Sequence, residues 1–152
     1  MRLRAGIVLI EENKVALIER YRAGLHYFVF PGGAVDEGES PEQAAIREAL
    51  EELGIDVAIK QKVAEVRLSG KSRQIYFLVD QTNGRFGTGE GEEYTVADPS
   101  DPEEGTYFPI WMPIDELPQH QNVYPAGIAR LVTASVKQGW VQDAVVMFDE
   151  PE

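Results

Sequence analysis

Residues Gly33 to Ile55 read GAVDEGESPEQAAIREALEELGI, a glycine turn feeding an acidic helix. Ser40 is placed as an N-cap, Pro41 at the first helical position and Gln43 to close a capping box, while Gly54 sits where a helix stops. The predicted helix runs from Pro41 to Leu53. At about 100° per residue, Glu48, Glu51 and Glu52 share one side and Ile46, Leu50 and Leu53 the other. The apolar trio is therefore expected to pack on a sheet, with the three carboxylates projecting away from it. Like charges at neighbouring helix positions repel, so a cation is expected among them. Oxygen-only ligands suit a hard ion, Mg²⁺ or Mn²⁺, which takes a few carboxylates and leaves room for waters and substrate phosphates.

An acidic helix face is more often merely solvated. The flanking residues argue otherwise. Pro31-Gly32-Gly33 follows the apolar strand Tyr27-Phe28-Val29-Phe30, and glycines there permit a tight reversal and close backbone approach to a ligand. Glu39 adds a carboxylate just ahead of the helix. Arg47 precedes Glu51 by one helical turn, so its guanidinium can hold that carboxylate in one orientation.

Gly33, Glu39 and the run Arg47-Glu48-Ala49-Leu50-Glu51-Glu52-Leu53-Gly54-Ile55 together resemble the Nudix box of the Nudix hydrolase family. Ala49 is a soft departure, because the family pattern often has a larger aliphatic residue there, but it removes no ligand. The resemblance implies an α/β fold, an α/β/α sandwich around a mixed β-sheet with the box helix on one face. It implies hydrolysis of a nucleoside diphosphate linked to another group, with Glu48, Glu51 and Glu52 as metal ligands. Glu52 is the first choice of general base and Glu48 the alternative. Glu39 is expected to hydrogen-bond or to reach a metal through water, Gly33 to offer its backbone to metal or phosphate, and Arg47 to orient the acids.

Family members often supply a further carboxylate from the loop before a Trp-containing strand. Here Trp111-Met112-Pro113-Ile114-Asp115-Glu116-Leu117 resembles that strand and the short acidic helix after it. The candidates are Glu103 and Glu104, then Glu92 and Glu93, with Glu104 preferred for its distance from Trp111. The likeness covers roughly Arg4 to Val132.

The 152 residues, 43% hydrophobic, suit one domain spanning residues 1–152. The sequence offers no apolar run long enough for a membrane span, and no secretory leader is expected. With no cysteine the chain suits a reducing cytoplasm. The net charge of −12 argues against binding duplex nucleic acid. Eight of the 26 acids lie between Asp36 and Asp56 and seven between Glu90 and Glu104, so a polyphosphate would be repelled unless divalent ions neutralised that field.

Arg20, Arg22, Lys71 and Arg73 are the basic candidates for phosphate contact, and Tyr21, Tyr27, Phe28, Tyr107 and Tyr124 those for stacking a base. The leading substrate is a nucleoside triphosphate or an oxidised purine nucleotide. The alternatives are a nucleotide sugar, a dinucleoside polyphosphate, or a nucleotide sensor without turnover, which would not need Glu48, Glu51 and Glu52. Family members are often dimers, but the residues fix no interface for a homodimer. Strands are expected at Arg4–Ile10, Lys14–Arg20, Tyr27–Phe30, Val57–Leu68, Gln74–Asp80 and Tyr107–Met112, a long loop from Gly84 to Gly105, and a second helix from Pro125 to Lys137.

Overall fold

The computed structural model describes residues 2–68, 72–88 and 106–148. Its elements are β1 (Arg2–Glu11), β2 (Lys14–Arg22), β3 (Leu25–Val29), β4 (Gly32–Ala34), α1 (Pro41–Leu53), β5 (Ile55–Leu68), β6 (Ser72–Gly84), β7 (Thr106–Pro113), a 3₁₀ helix (Ile114–Gln119), β8 (Val123–Tyr124), α2 (Ala126–Gln138) and β9 (Val145–Phe148). The main path of the sheet runs β8-β3-β2-β1-β6-β5-β9, with β4 beside β1 and β7 beside β2. Three pairings are parallel, β1 with β6, β3 with β8 and β5 with β9, and the others are antiparallel, so the sheet is mixed.

Strand alternation divides the interior into two cores. Ile7, Leu9, Ile75, Phe77 and Val79 pack with Ala44, Ala45, Ala49 and Leu53 of α1. Val8, Tyr76 and Leu78 point the other way and pack with Ile128 and Val132 of α2 and Leu117 of the 3₁₀ helix. A mixed sheet with helices on both faces is the α/β/α arrangement.

β1 and β2 pair only at Ile10↔Val15 and Glu11↔Lys14, beside the hairpin turn, and then diverge. The gap is crossed by the chain itself. β3 pairs with β2 up to Val29, the Ile7 amide donates to the Pro31 carbonyl, and β4 then pairs with β1 through Arg4↔Ala34, Ala5↔Gly33 and Gly6↔Gly32. Gly32 and Gly33 were expected in a reversal. They instead form a short strand, because β1 offers an unpaired edge where β2 has left it.

The helix ends follow the sequence. Ser40 Oγ accepts from the Gln43 amide at 3.1 Å, Gln43 Oε1 accepts from the Ser40 amide at 2.9 Å, and Gly54 closes the helix at φ 77°. Such an N-cap contributes about 1 kcal/mol. β8 and β9, two and four residues long, were not expected; each is added in parallel to the edge of a strand already present.

Candidate active site

The buried arc of α1 differs from the expected one. Ala44, Ala45, Ala49 and Leu53 are fully buried, and Glu48 and Glu52 share their face at 8% and 5% exposure. Ile46 and Leu50 are exposed, at 39% and 52%. The alanines let the helix backbone come close to the sheet. The two acids can lie beneath it because fixed partners satisfy them, as buried carboxylates require.

Glu52 Oε1 accepts a 2.9 Å hydrogen bond from the Gly32 amide. The Glu48 carboxyl fills the space beside Gly33, so closely that any Cβ at position 33 would overlap it. β4 and the box helix therefore meet glycine to carboxylate, and a side chain on Gly33 would displace an acid.

Arg47 ties the remaining acids together. It forks onto Glu39, with Nε and Nη2 donating at 2.9 and 3.0 Å. Nη1 donates to Glu48 at 2.9 Å and to Glu51 at 3.2 Å, and Nη2 also reaches the Ala34 carbonyl at 2.9 Å and lies 3.5 Å from Asp36. The Arg47 fork, seconded by the Asp36 amide, holds the Glu39 carboxyl down at about 2. The bond to Glu39 in turn raises the Arg47 pKa above its ordinary value.

Asp36, Glu39, Glu48 and Glu51 all contact Arg47, and Glu52 lies on the same buried arc as Glu48. One guanidinium cannot neutralise five carboxylates. Among the described residues no three acidic or histidine side chains already converge as a metal cage. The uncompensated negative charge and the oxygen-only donors nevertheless fit a hard divalent cation.

Beside these acids a cleft of about 590 Å³ occupies the gap between the diverging halves of the sheet. Glu52, Gly32 and Gly33 form one boundary, and Arg20, Tyr107, Tyr124, Arg4, Gln74 and Tyr76 line the rest. Arg20 donates through Nη2 to the Tyr107 hydroxyl, and its guanidinium lies 4.0 Å from the Tyr107 ring centroid and 5.5 Å from that of Tyr27. Its Nε is buried with no partner among the described residues.

Of the other basic candidates, Arg22 lies at the exposed end of β2, outside the cleft lining. Arg73 is committed to the buried Glu65 at 2.7 Å, beside Arg67 at 2.6 Å from the same carboxylate. Lys71, Glu92, Glu93, Glu103 and Glu104 lie outside the described residues. Tyr107 and Tyr124 reach the cleft, whereas Tyr21 and Phe28 belong to an aromatic row with His26. Arg4, Gln74 and Tyr76 were not anticipated. Their signal was a polar residue at alternate positions of otherwise apolar strands, but the parallel pairing of β1 with β6 that brings them together is nonlocal.

No helix among the described residues is long and apolar enough to cross a membrane. A family model described as NUDIX domain matches residues 1–131. The chain is 48% identical over 54 residues to the RNA pyrophosphohydrolase of Tolumonas auensis, covering 36% of this chain and 30% of that protein. It is 38% identical over 61 residues to the 8-oxo-dGTP diphosphatase of Proteus vulgaris, covering 38% of this chain and 53% of that one. The chain thus spans about a third to a half of the length of these curated relatives. The crystal structure of a NUDIX hydrolase from Nitrosomonas europaea superposes with a TM-score of 0.72 at 21% identity, over 99% of this chain and 79% of that one, which shows a shared fold. With its box helix set against a glycine strand and the family model matching most of its length, the chain belongs to the Nudix hydrolase family.

Proposed function

We propose that the chain is a divalent-metal-dependent pyrophosphohydrolase cleaving a nucleoside diphosphate linked to another group, with a nucleoside triphosphate or an oxidised purine nucleotide as leading substrate. The polarity of the cleft carries this proposal. The buried Glu52 carboxylate and a glycine backbone bound it on one side, and Arg4 and Arg20, neither ion-paired among the described residues, line the others. The relatives named 8-oxo-dGTP diphosphatase and RNA pyrophosphohydrolase support a phosphoanhydride substrate.

Glu48, Glu51 and Glu52 would hold Mg²⁺ or Mn²⁺, with Glu39 and the Gly33 backbone beside them. A divalent ion in such a site neutralises phosphate oxygens and activates water. Glu52, buried at the edge of the cleft, is the first choice to take the proton of the attacking water, and Glu48 the second. Arg47 keeps these carboxylates oriented. Arg20, braced by Tyr107, presents its guanidinium to a phosphate. The partner is then a small nucleotide, acted on in a reducing cytoplasm.

The test is a hydrolysis screen with Mg²⁺ and with Mn²⁺ over nucleoside triphosphates, oxidised purine nucleotides, nucleotide sugars and dinucleoside polyphosphates. Metal-dependent turnover of at least one is expected. Binding without turnover of any would favour a sensor instead.

A further inference from the structure

The outer strands of the sheet are guarded unequally. β7 pairs with β2 alone and carries Pro109 and Pro113, which offer no N–H to a further strand. β8 is two residues long and is followed by Pro125. β9, by contrast, reads Val145-Val146-Met147-Phe148, with neither proline nor charge. It pairs with β5 on one side and with no described strand on the other. Such an edge is a template for another strand.

The side chains of β9 point the same way. Met147 packs on the core beneath α2, whereas Val146 and Phe148 face the opposite side and are 50% and 73% exposed. They stand beside Glu65 and Arg67 of β5, and the Arg67 guanidinium lies 6.0 Å from the Phe148 ring centroid. Lys62, Arg67 and Arg73 surround Glu65, so this face is locally basic in a chain of net charge −12. Two copies of so acidic a chain repel less where they meet through a basic region.

The strand is also its own complement. A second copy turned about a two-fold axis normal to the sheet presents β9 antiparallel to β9. With Met147 facing Met147, each Val146 then stands opposite the other copy's Phe148. Apolar side chains meet on both faces, and the open backbone groups find partners. An unrelated protein would have to bring such a strand, whereas a second copy always has it.

We propose that the outer edge of β9 is the interface of a homodimer, in which a second copy of this chain adds its own β9 antiparallel and continues the sheet across a two-fold axis. The strand lies past residue 131, where the family match ends, and outside the cleft lining, so the proposal is independent of the reaction. Four residues make a small contact, and the dimer is accordingly concentration-dependent.

Sedimentation equilibrium of the full chain, from low micromolar to several hundred micromolar, is expected to show the mass rising from 16.9 kDa towards twice that value. Val146→Lys and Phe148→Lys place a charge at exposed sites on the edge and are each expected to hold the single-chain mass, with folding checked by circular dichroism. Leu25→Lys, at an exposed apolar site on β3, is expected to dimerise as the native chain does. Because the chain has no cysteine, Val146→Cys combined with Phe148→Cys is expected to yield a covalent dimer under mild oxidation. A single-chain mass at every concentration would overturn the proposal. So would a dimer that survives both β9 lysine variants, or one that all three lysine variants abolish alike.

Discussion

The Gly32 amide donates to Glu52 Oε1 at 2.9 Å, joining β4 to the box helix across twenty positions of sequence. Glutamine at position 52 keeps that oxygen while losing the charge. Glu52→Gln is therefore expected to fold normally by circular dichroism and to lose about 10²–10⁴-fold in kcat with Mg²⁺. Unaltered turnover would remove Glu52 from the mechanism.

At position 33 the constraint is steric. A methyl group there must push the Glu48 carboxyl out of its place and off Arg47. Gly33→Ala is expected to lower kcat well beyond any change in KM for the nucleotide, with the thermal midpoint reduced by a few degrees. Wild-type kinetics would show that Glu48 has room to move without consequence.

Arg47→Lys keeps one charge but removes the fork that spans Glu39, Glu48 and Glu51. Urea unfolding should show a loss of about 1.5–3 kcal/mol, the range for hydrogen bonds to charged groups. An unchanged midpoint would mean that Arg47 contributes nothing measurable to the fold.

The two faces of α1 can be told apart by stability alone. Leu50→Gln, at an exposed site, should change it by no more than about 0.5 kcal/mol, whereas Leu53→Ala, at a buried one, should cost about 2–5 kcal/mol. The reverse order would restore Leu50 to the core.

Glu65, outside the cleft lining, supplies an acid-dependent term. Arg73 first, and Arg67 second, hold its carboxyl at about 2 rather than the ordinary 4.5. Between those values the unfolded chain binds a proton that the folded chain does not, so stability rises with pH across that window. The contribution is complete above about pH 4.5 and is lost as pH falls towards 2. Denaturation midpoints measured from pH 5 to pH 3 should fall more steeply for the native chain than for Glu65→Gln. Parallel curves would show that the pair adds no pH-dependent stability.

The limits of α1 were legible because caps are local: Ser40, Pro41, Gln43 and Gly54 act within a few residues of themselves. The box acids were legible for the same reason, as was the Arg47–Glu51 contact one turn apart. The inward face of α1 was not. Hydrophobicity pointed to Ile46 and Leu50, but close approach favoured Ala44, Ala45 and Ala49, and the partners that make Glu48 and Glu52 tolerable inside come from a distant strand. Arg4, Gln74 and Tyr76 were hidden likewise, since their proximity depends on β1 and β6 lying parallel with some sixty residues between them. Arg20 could be named from sequence as a nearby cation, while its brace, Tyr107, comes from a strand much later in the chain.

β1 and β2 share two register pairs beside their turn and then part, and the cleft fills the opening. A molecule bound there touches Arg4 and Gly6 on one strand and Ile18 and Arg20 on the other. The strand edges there are already taken, that of β1 by β4 and those of β2 by β3 and β7, so a ligand would cross-brace through side chains two half-sheets that the hairpin fastens at one end.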